Sequence, residues 1–153
     1  MKPDKEVISA VNDAIVSEME SFTLYGVFAA KLKEQGLRKL GHWFKETSKD
    51  ELGHYKAWLD RLTFLGGDPD YSVGVAEAEE DPEKILKEVI TIEEKGIDDY
   101  EAMYALCLEK KDAETAHLVH EILSDEEEHL RWAQKQTALL ALLGKPGWLQ
   151  YWS

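Results

Sequence analysis

Two Glu-x-x-His motifs occur in the chain, Glu51-Leu-Gly-His54 and Glu126-Glu-Glu-His129. Residues three apart on a helix share a face, so each motif presents a carboxylate and an imidazole to one point. One such motif arises easily by chance, and its spacing to other residues is what gives it meaning. Glu18 lies 33 residues before Glu51, and Glu93 lies 33 residues before Glu126. Tyr25 and Tyr100 each follow the leading glutamate by seven. The same arrangement therefore occurs twice, as two helical hairpins related by a pseudo-twofold axis require.

Each of the four glutamates sits on the apolar stripe of its helical stretch. At about 100° per residue, Glu18 falls among Val11, Ile15, Phe22, Tyr25 and Leu32, and Glu93 among Leu86, Val89, Ile97 and Tyr100. Glu51 falls among Phe44, Tyr55, Trp58 and Leu62, and Glu126 among Val119, Ile122, Leu123 and Leu130. Burying an unpaired carboxylate costs several kcal/mol, and no stripe supplies a Lys or Arg to pair with them. Protonated carboxyl pairs are one escape. Two divalent cations are the other, since they balance four carboxylates while both histidines stay neutral. Oxygen ligands with imidazole suit iron or manganese.

Four long helical segments must position these groups. Helical periodicity is strong, and strand alternation is nearly absent. The first segment runs from about Lys5 to Gln35 and stops at Gly36; the second runs from about Leu37 to Leu65 and stops at Gly66-Gly67. The third begins after Asp81-Pro82, an N-cap with proline in the first helical position. The fourth follows the Lys111-Asp112 turn and reaches about Leu143, leaving a short tail, GKPGWLQYWS. Residues 66–81 form a link of 16 residues. Extended, it reaches about 53 Å at ~3.3 Å per residue, against about 42 Å for a helix of ~28 residues. It can run the length of the bundle and leave the second and third helices parallel. The expected fold is all-α: one domain over residues 1–153, a four-helix bundle with one long crossover and a short C-terminal segment.

The net charge of −13 argues against nucleic acid or an anionic membrane as partner and suits attraction of cations. The single cysteine, Cys107, excludes an intrachain disulfide and any CxxC site, and reads as a small buried hydrophobe. The longest apolar run, Ala138–Leu143, is far short of a membrane span, and the N-terminus lacks a signal-peptide stretch. A soluble, cytoplasmic protein is the expectation. His117 and His120 point away from the Glu126 stripe and read as solvent-facing, and His42 as unremarkable. Trp148, Tyr151 and Trp152 crowd the tail and call for burial at a subunit contact or against the bundle.

The ligand pattern resembles that of the ferritin superfamily, and the resemblance to bacterioferritins covers nearly the whole chain. It includes Glu18 with Tyr25, the Gly36-Leu37 turn, Ser48 and Asp50 before Glu51, Phe64-Leu65 with a following glycine, Asp125-Glu126, and the Leu-Gly…Leu-Gln tail. The resemblance implies two iron ions per chain, with manganese or zinc as substitutes. Glu51 and Glu126 would bridge them, Glu18 with His54 would complete one site, and Glu93 with His129 the other. It implies a ferroxidase that oxidises Fe(II) with O2 or H2O2 for storage in a homo-oligomer, with Tyr25 as a catalytic candidate. Two departures stand out. Leu52 replaces the haem-ligating methionine, with Met19 a poor substitute, so haem is not expected. Glu46 replaces a histidine used for iron on the inner surface. The alternatives are a rubrerythrin-like peroxide reductase, favoured by the paired tyrosines but lacking CxxC pairs and a further glutamate at Gly96, and a non-catalytic metal-binding cage subunit.

Overall fold

Side-chain caps open the first and third helices, the latter at the expected Asp81. In the computed structural model, which describes residues 3–74 and 77–153, the helices are α1 (Lys5–Glu34), α2 (Arg38–Phe64), α3 (Pro82–Glu109) and α4 (Ala113–Trp152). Asp4 accepts from the Glu6 amide at 2.8 Å, and Asp81 from the Glu83 and Lys84 amides at 3.0 and 3.1 Å, satisfying donors that helix starts leave open. Gly36 and Gly66 end α1 and α2 at φ 84° and 74°, the left-handed conformation that glycine adopts without steric cost.

The helices pair α1 with α2 and α3 with α4, and the two hairpins meet along α1–α3 and α2–α4. The link between α2 and α3 runs the length of α1. At its start the Asn12 side chain accepts from the Asp70 amide at 3.1 Å. At its end Lys31 donates to the Ala78 carbonyl at 3.0 Å and Gln35 to the Glu80 carbonyl at 2.9 Å. Asn12 and Gln35 are about 35 Å apart at ~1.5 Å per residue, so α2 and α3 start at the same end and run parallel. The long crossover is therefore as expected.

The interior is two apolar clusters with a polar layer between them. One contains Val7, Val11, Ile15, Trp58, Leu62, Cys107, Val119 and Ile122, the other Phe28, Leu32, Leu40, Phe44, Ile85, Val89 and Ala133. Cys107 is fully buried, and burial pushes its thiol up to about 11. His117, His120 and His42 are exposed.

The tail is the short C-terminal segment expected, a brief helix that folds back. Helical hydrogen bonding continues to Trp152, interrupted by Gly144 at φ 71°, ψ 159°. Pro146 lies just after the break, where a restarting helix needs no N–H from it. Gln136 accepts from Trp148 at 3.1 Å and from Trp152 at 2.9 Å, and Lys145 pairs with Asp81 at 2.7 Å. In a straight helix Gln136 and Trp152 would be about 24 Å apart at ~1.5 Å per residue, so the reversal at Gly144 makes both bonds. Trp148 is buried against the bundle, while Tyr151 stays exposed. Backbone of this kind is essentially restricted to glycine, and Gly144→Ala is expected to cost about 1–3 kcal/mol. Denaturant titration checks this, with increased exposure of Trp148 fluorescence as the local signature.

Candidate metal centre

The polar layer is built from the middle of all four helices. Glu18 comes from α1, Glu51 and His54 from α2, Glu93 from α3, and Glu126 and His129 from α4, and all six are buried. Ligand atoms of Glu18, Glu51, His54 and Glu126 lie within 4.8 Å of one another, as do those of Glu51, Glu93, Glu126 and His129. The six expected residues are thus brought together as two overlapping groups that share Glu51 and Glu126.

Each imidazole is aimed by its two nitrogens. His54 Nδ1 faces Glu126 at 3.1 Å, Glu51 at 3.3 Å and Glu18 at 3.4 Å, while its Nε2 lies 2.8 Å from Asp125 Oδ2. His129 Nδ1 faces Glu51 at 3.2 Å, Glu93 at 3.6 Å and Glu126 at 3.8 Å, and its Nε2 lies 3.4 Å from Asp50 Oδ2. One Nδ1 cannot hydrogen-bond three oxygens at once. Glu51 Oε1, Glu93 Oε2, Glu126 Oε1 and His129 Nδ1 are accordingly buried without a properly directed partner. Orphaned polar atoms converging on one spot are costly in an empty site and well suited to a cation. An Nε2–H donated to a carboxylate leaves the Nδ1 lone pair pointing inward, the usual arrangement around a metal-binding histidine.

The tyrosines are exchanged between hairpins. Tyr25 of α1 donates to Glu93 Oε1 of α3 at 2.5 Å, and Tyr100 of α3 donates to Glu18 Oε1 of α1. Burial, with the nearby carboxylates, holds both phenols well above the ordinary tyrosine range, so they remain donors. Trp58 donates to Tyr100 at 3.0 Å, and its counterpart 75 residues on, Ala133, supplies no such bond to Tyr25. Asp50 and Asp125 emerge here as orienting groups and were not singled out for that role by sequence. Their signal was available: they are 75 apart, like Glu18 and Glu93, Glu51 and Glu126, and His54 and His129.

The electrostatics resolve into two kinds of carboxyl. Burial, together with hydrogen bonding to Glu51, raises Glu18, and burial with hydrogen bonding to Glu126 pushes Glu93 up to about 9. Burial also opposes charge on Glu51 and Glu126, but hydrogen bonds outweigh it and hold both below the ordinary range, with both histidines among the donors. On His54 and His129 burial disfavours the cation, and the surrounding carboxylates overcome it and hold both rings protonated. In the metal-free centre the shifts thus favour protons on both histidines, Glu18 and Glu93, and ionised Glu51 and Glu126.

A bundle with one long crossover and paired Glu and Glu-x-x-His groups at mid-height defines a class, and comparison agrees. The ferritin-like domain family matches residues 8–143, and the chain belongs to it. It is 29% identical over 150 residues to a bacterioferritin of Mycolicibacterium paratuberculosis, covering 94% of this chain and 91% of the relative. It is 27% identical over 146 residues to a bacterioferritin of Mycobacterium leprae, covering 95% and 92%. It is 27% identical over 158 residues to a bacterial ferritin of Synechocystis, covering 98% and 97%. Among the described residues no helix is long and apolar enough to cross a membrane.

Proposed function

We propose that this chain is a di-iron ferroxidase in which Glu18, Glu51, His54, Glu93, Glu126 and His129 hold two Fe(II) ions as substrate. O2 or H2O2 takes their electrons, and the ferric product is stored within a homo-oligomer. The observation that carries this reading is the pair of buried ligand groups sharing Glu51 and Glu126. Two divalent ions balance four carboxylates there and occupy the point on which the orphaned atoms converge. The relatives' names, bacterioferritin and bacterial ferritin, support the storage role. Manganese or zinc fits the same donor set.

The surrounding residues fix and tune the donors. Asp125 and Asp50 orient the imidazoles from the solvent side of the centre, where their carboxylates remain exposed and draw cations inward. Tyr25 and Tyr100 hold the two unshared carboxylates, Glu93 and Glu18, from the opposite hairpin. The apolar clusters above and below exclude water from the reacting oxidant. Haem held through position 52 does not fit, because Leu52 offers only hydrocarbon.

The crossed tyrosines favour a second reading, a peroxide reductase. Gly96 weighs against it: a Cβ there meets nothing within 4 Å, so the position has room for a further carboxylate and supplies none. Anaerobic Fe(II) titration followed by separate additions of O2 and H2O2 tests the choice. Two irons per chain oxidised by O2, with continued turnover on excess iron, is the expected result. Oxidation far faster with peroxide and no mineral would establish the second reading. In Tyr25→Phe, iron stoichiometry is expected to persist while oxidation slows by about 10–100-fold, since Glu93 loses the donor that fixes it; stopped-flow absorbance measures this.

A further inference from the structure

We propose that a line of stacked aromatic rings from His129 to the chain's end is a one-electron relay. Through it the exposed Tyr151 supplies the second electron when H2O2 meets a site holding a single Fe(II). The inference rests on the ferroxidase reading, in which His129 holds iron.

The line is continuous. The Trp43 ring stands edge-on to His129 with centroids 6.3 Å apart and stacks on Trp132 at 3.5 Å, nearly parallel at 9°. Trp132 meets Trp152 at 5.8 Å, and Trp152 meets Tyr151 at 5.2 Å. The three tryptophans are half-buried, and Tyr151 is 58% exposed. These contacts join three separate segments, α2, α4 and the folded-back tail. Gln136 holds the tail ring in place through the Trp152 N–H.

The order of rings suits removal of an electron from the surface. Close parallel overlap of Trp43 and Trp132 spreads a positive charge over two indoles. Tyr151, being in water, can give up its proton when it gives up its electron, which buried rings cannot do. The tyrosines nearer the centre have no comparable exit. Tyr25 packs on Phe28 and Phe44, which resist oxidation, and Tyr100 stacks on the fully buried Trp58.

The need for such a route follows from electron count. H2O2 requires two electrons to become water, and a lone Fe(II) supplies one, releasing an oxidant that would attack its own ligands. With the relay, Fe(II), H2O2, one proton and the Tyr151 phenol yield Fe(III), two waters and the Tyr151 phenoxyl radical. The O–O bond breaks, the phenol proton goes to the water formed, and iron and tyrosine each lose one electron. A one-electron reductant of the thiol or ascorbate class then restores the surface phenol.

The test loads the full chain anaerobically with one Fe(II) per chain, adds one equivalent of H2O2, and reads freeze-quench electron paramagnetic resonance and peptide mass spectrometry. The expected result is a tyrosyl signal and oxidised or cross-linked Tyr151, both absent in Tyr151→Phe. Trp132→Phe, and independently Trp152→Phe should the first variant not fold, is expected to lose Tyr151 oxidation and to shift damage to peptides around His129. Fe(II) titration of each protein comes first. Failure of the parent to bind iron overturns the ferroxidase reading and the relay together. Normal binding with Tyr151 unmodified overturns the relay alone, as does Tyr151 oxidation that survives both tryptophan substitutions or persists in an iron-free Glu51→Gln protein.

Discussion

Loading the metal-free protein anaerobically with Fe(II), or with redox-inert Zn(II), is expected to release about four protons per chain. They come from His54 and His129, which the empty centre keeps as imidazolium, and from Glu18 and Glu93, which it keeps as acids. On the di-iron reading, two divalent ions would take the place of those protons. Binding therefore tightens steeply as pH rises. With ligand at about a thousand times Kd, two sites contribute roughly 8 kcal/mol, or about 15–30 °C in melting temperature for a chain of this size. Calorimetry in two buffers of different ionisation enthalpy counts the protons directly. Loading without proton release would show that Glu18, Glu93 and both histidines are already deprotonated when the centre is empty.

The empty protein has the opposite pH dependence. Glu93 is raised from 4.5 to about 9, so its contribution is present in acid and is lost as pH rises through that window. Glu18 acts in the same sense, and so do the histidines, whose raised values make the folded state bind more protons above the ordinary 6.5. Glu51 and Glu126, held low, contribute above 4.5 and lose that contribution as pH falls below it. The centre thus favours the metal-free fold most near pH 4.5, above which the Glu18 and Glu93 contributions decline and, beyond 6.5, those of the histidines with them. Metal is needed most where the empty site is weakest, at and above neutrality.

The second large effect is a difference between shared and unshared carboxylates. Glu51 and Glu126 belong to both ligand groups, whereas Glu18 and Glu93 each belong to one. Glu51→Gln or Glu126→Gln is expected to weaken binding of both irons by more than the roughly 10–100-fold that an orienting residue is worth. Glu18→Gln or Glu93→Gln is expected to weaken one ion and leave the other, giving stoichiometry near one. The amide preserves shape, and at Glu18 and Glu93 it replaces a group that the empty protein already favours uncharged. Melting curves check that the Glu51 and Glu126 variants, which lose a carboxylate paired with the histidines, still fold. Stoichiometry from anaerobic titration, read beside oxidation rate, separates the two classes. Equal loss in all four variants would mean that the ions bind only as a pair.

Much of the site was legible because its logic is local. Whether Glu93 or Glu94 faces inward, and whether Glu126 or its acidic neighbours do, follows from helical periodicity within a few residues. That four buried carboxylates at one level need either protons or cations follows from the cost of burying charge. The cap at Asp81 and the turns at Gly36 and Gly66 are likewise local backbone chemistry. The reach of a 16-residue link compared with the length of a helix allowed the parallel course of α2 and α3, which the anchoring of the link along α1 decides.

What the sequence did not disclose depends on register between helices. That Tyr25 serves Glu93 and Tyr100 serves Glu18, across the two hairpins, requires the relative height of α1 and α3. That Asp125 serves His54 and Asp50 serves His129 requires the same of α2 and α4. The break of α4 after Leu143 and the short segment beyond it were legible, but the course of that segment depends on packing. Gly144 supplies the single positive-φ residue that reverses the chain, and burial of Trp148 with two indole N–H bonds to Gln136 offsets the ordering of ten residues. The sequence by itself determined which residues face inward and what charge they bring, because those follow from the pitch of one helix. Only the tertiary structure decided which partner each of them meets, because that depends on how far one helix slides along another.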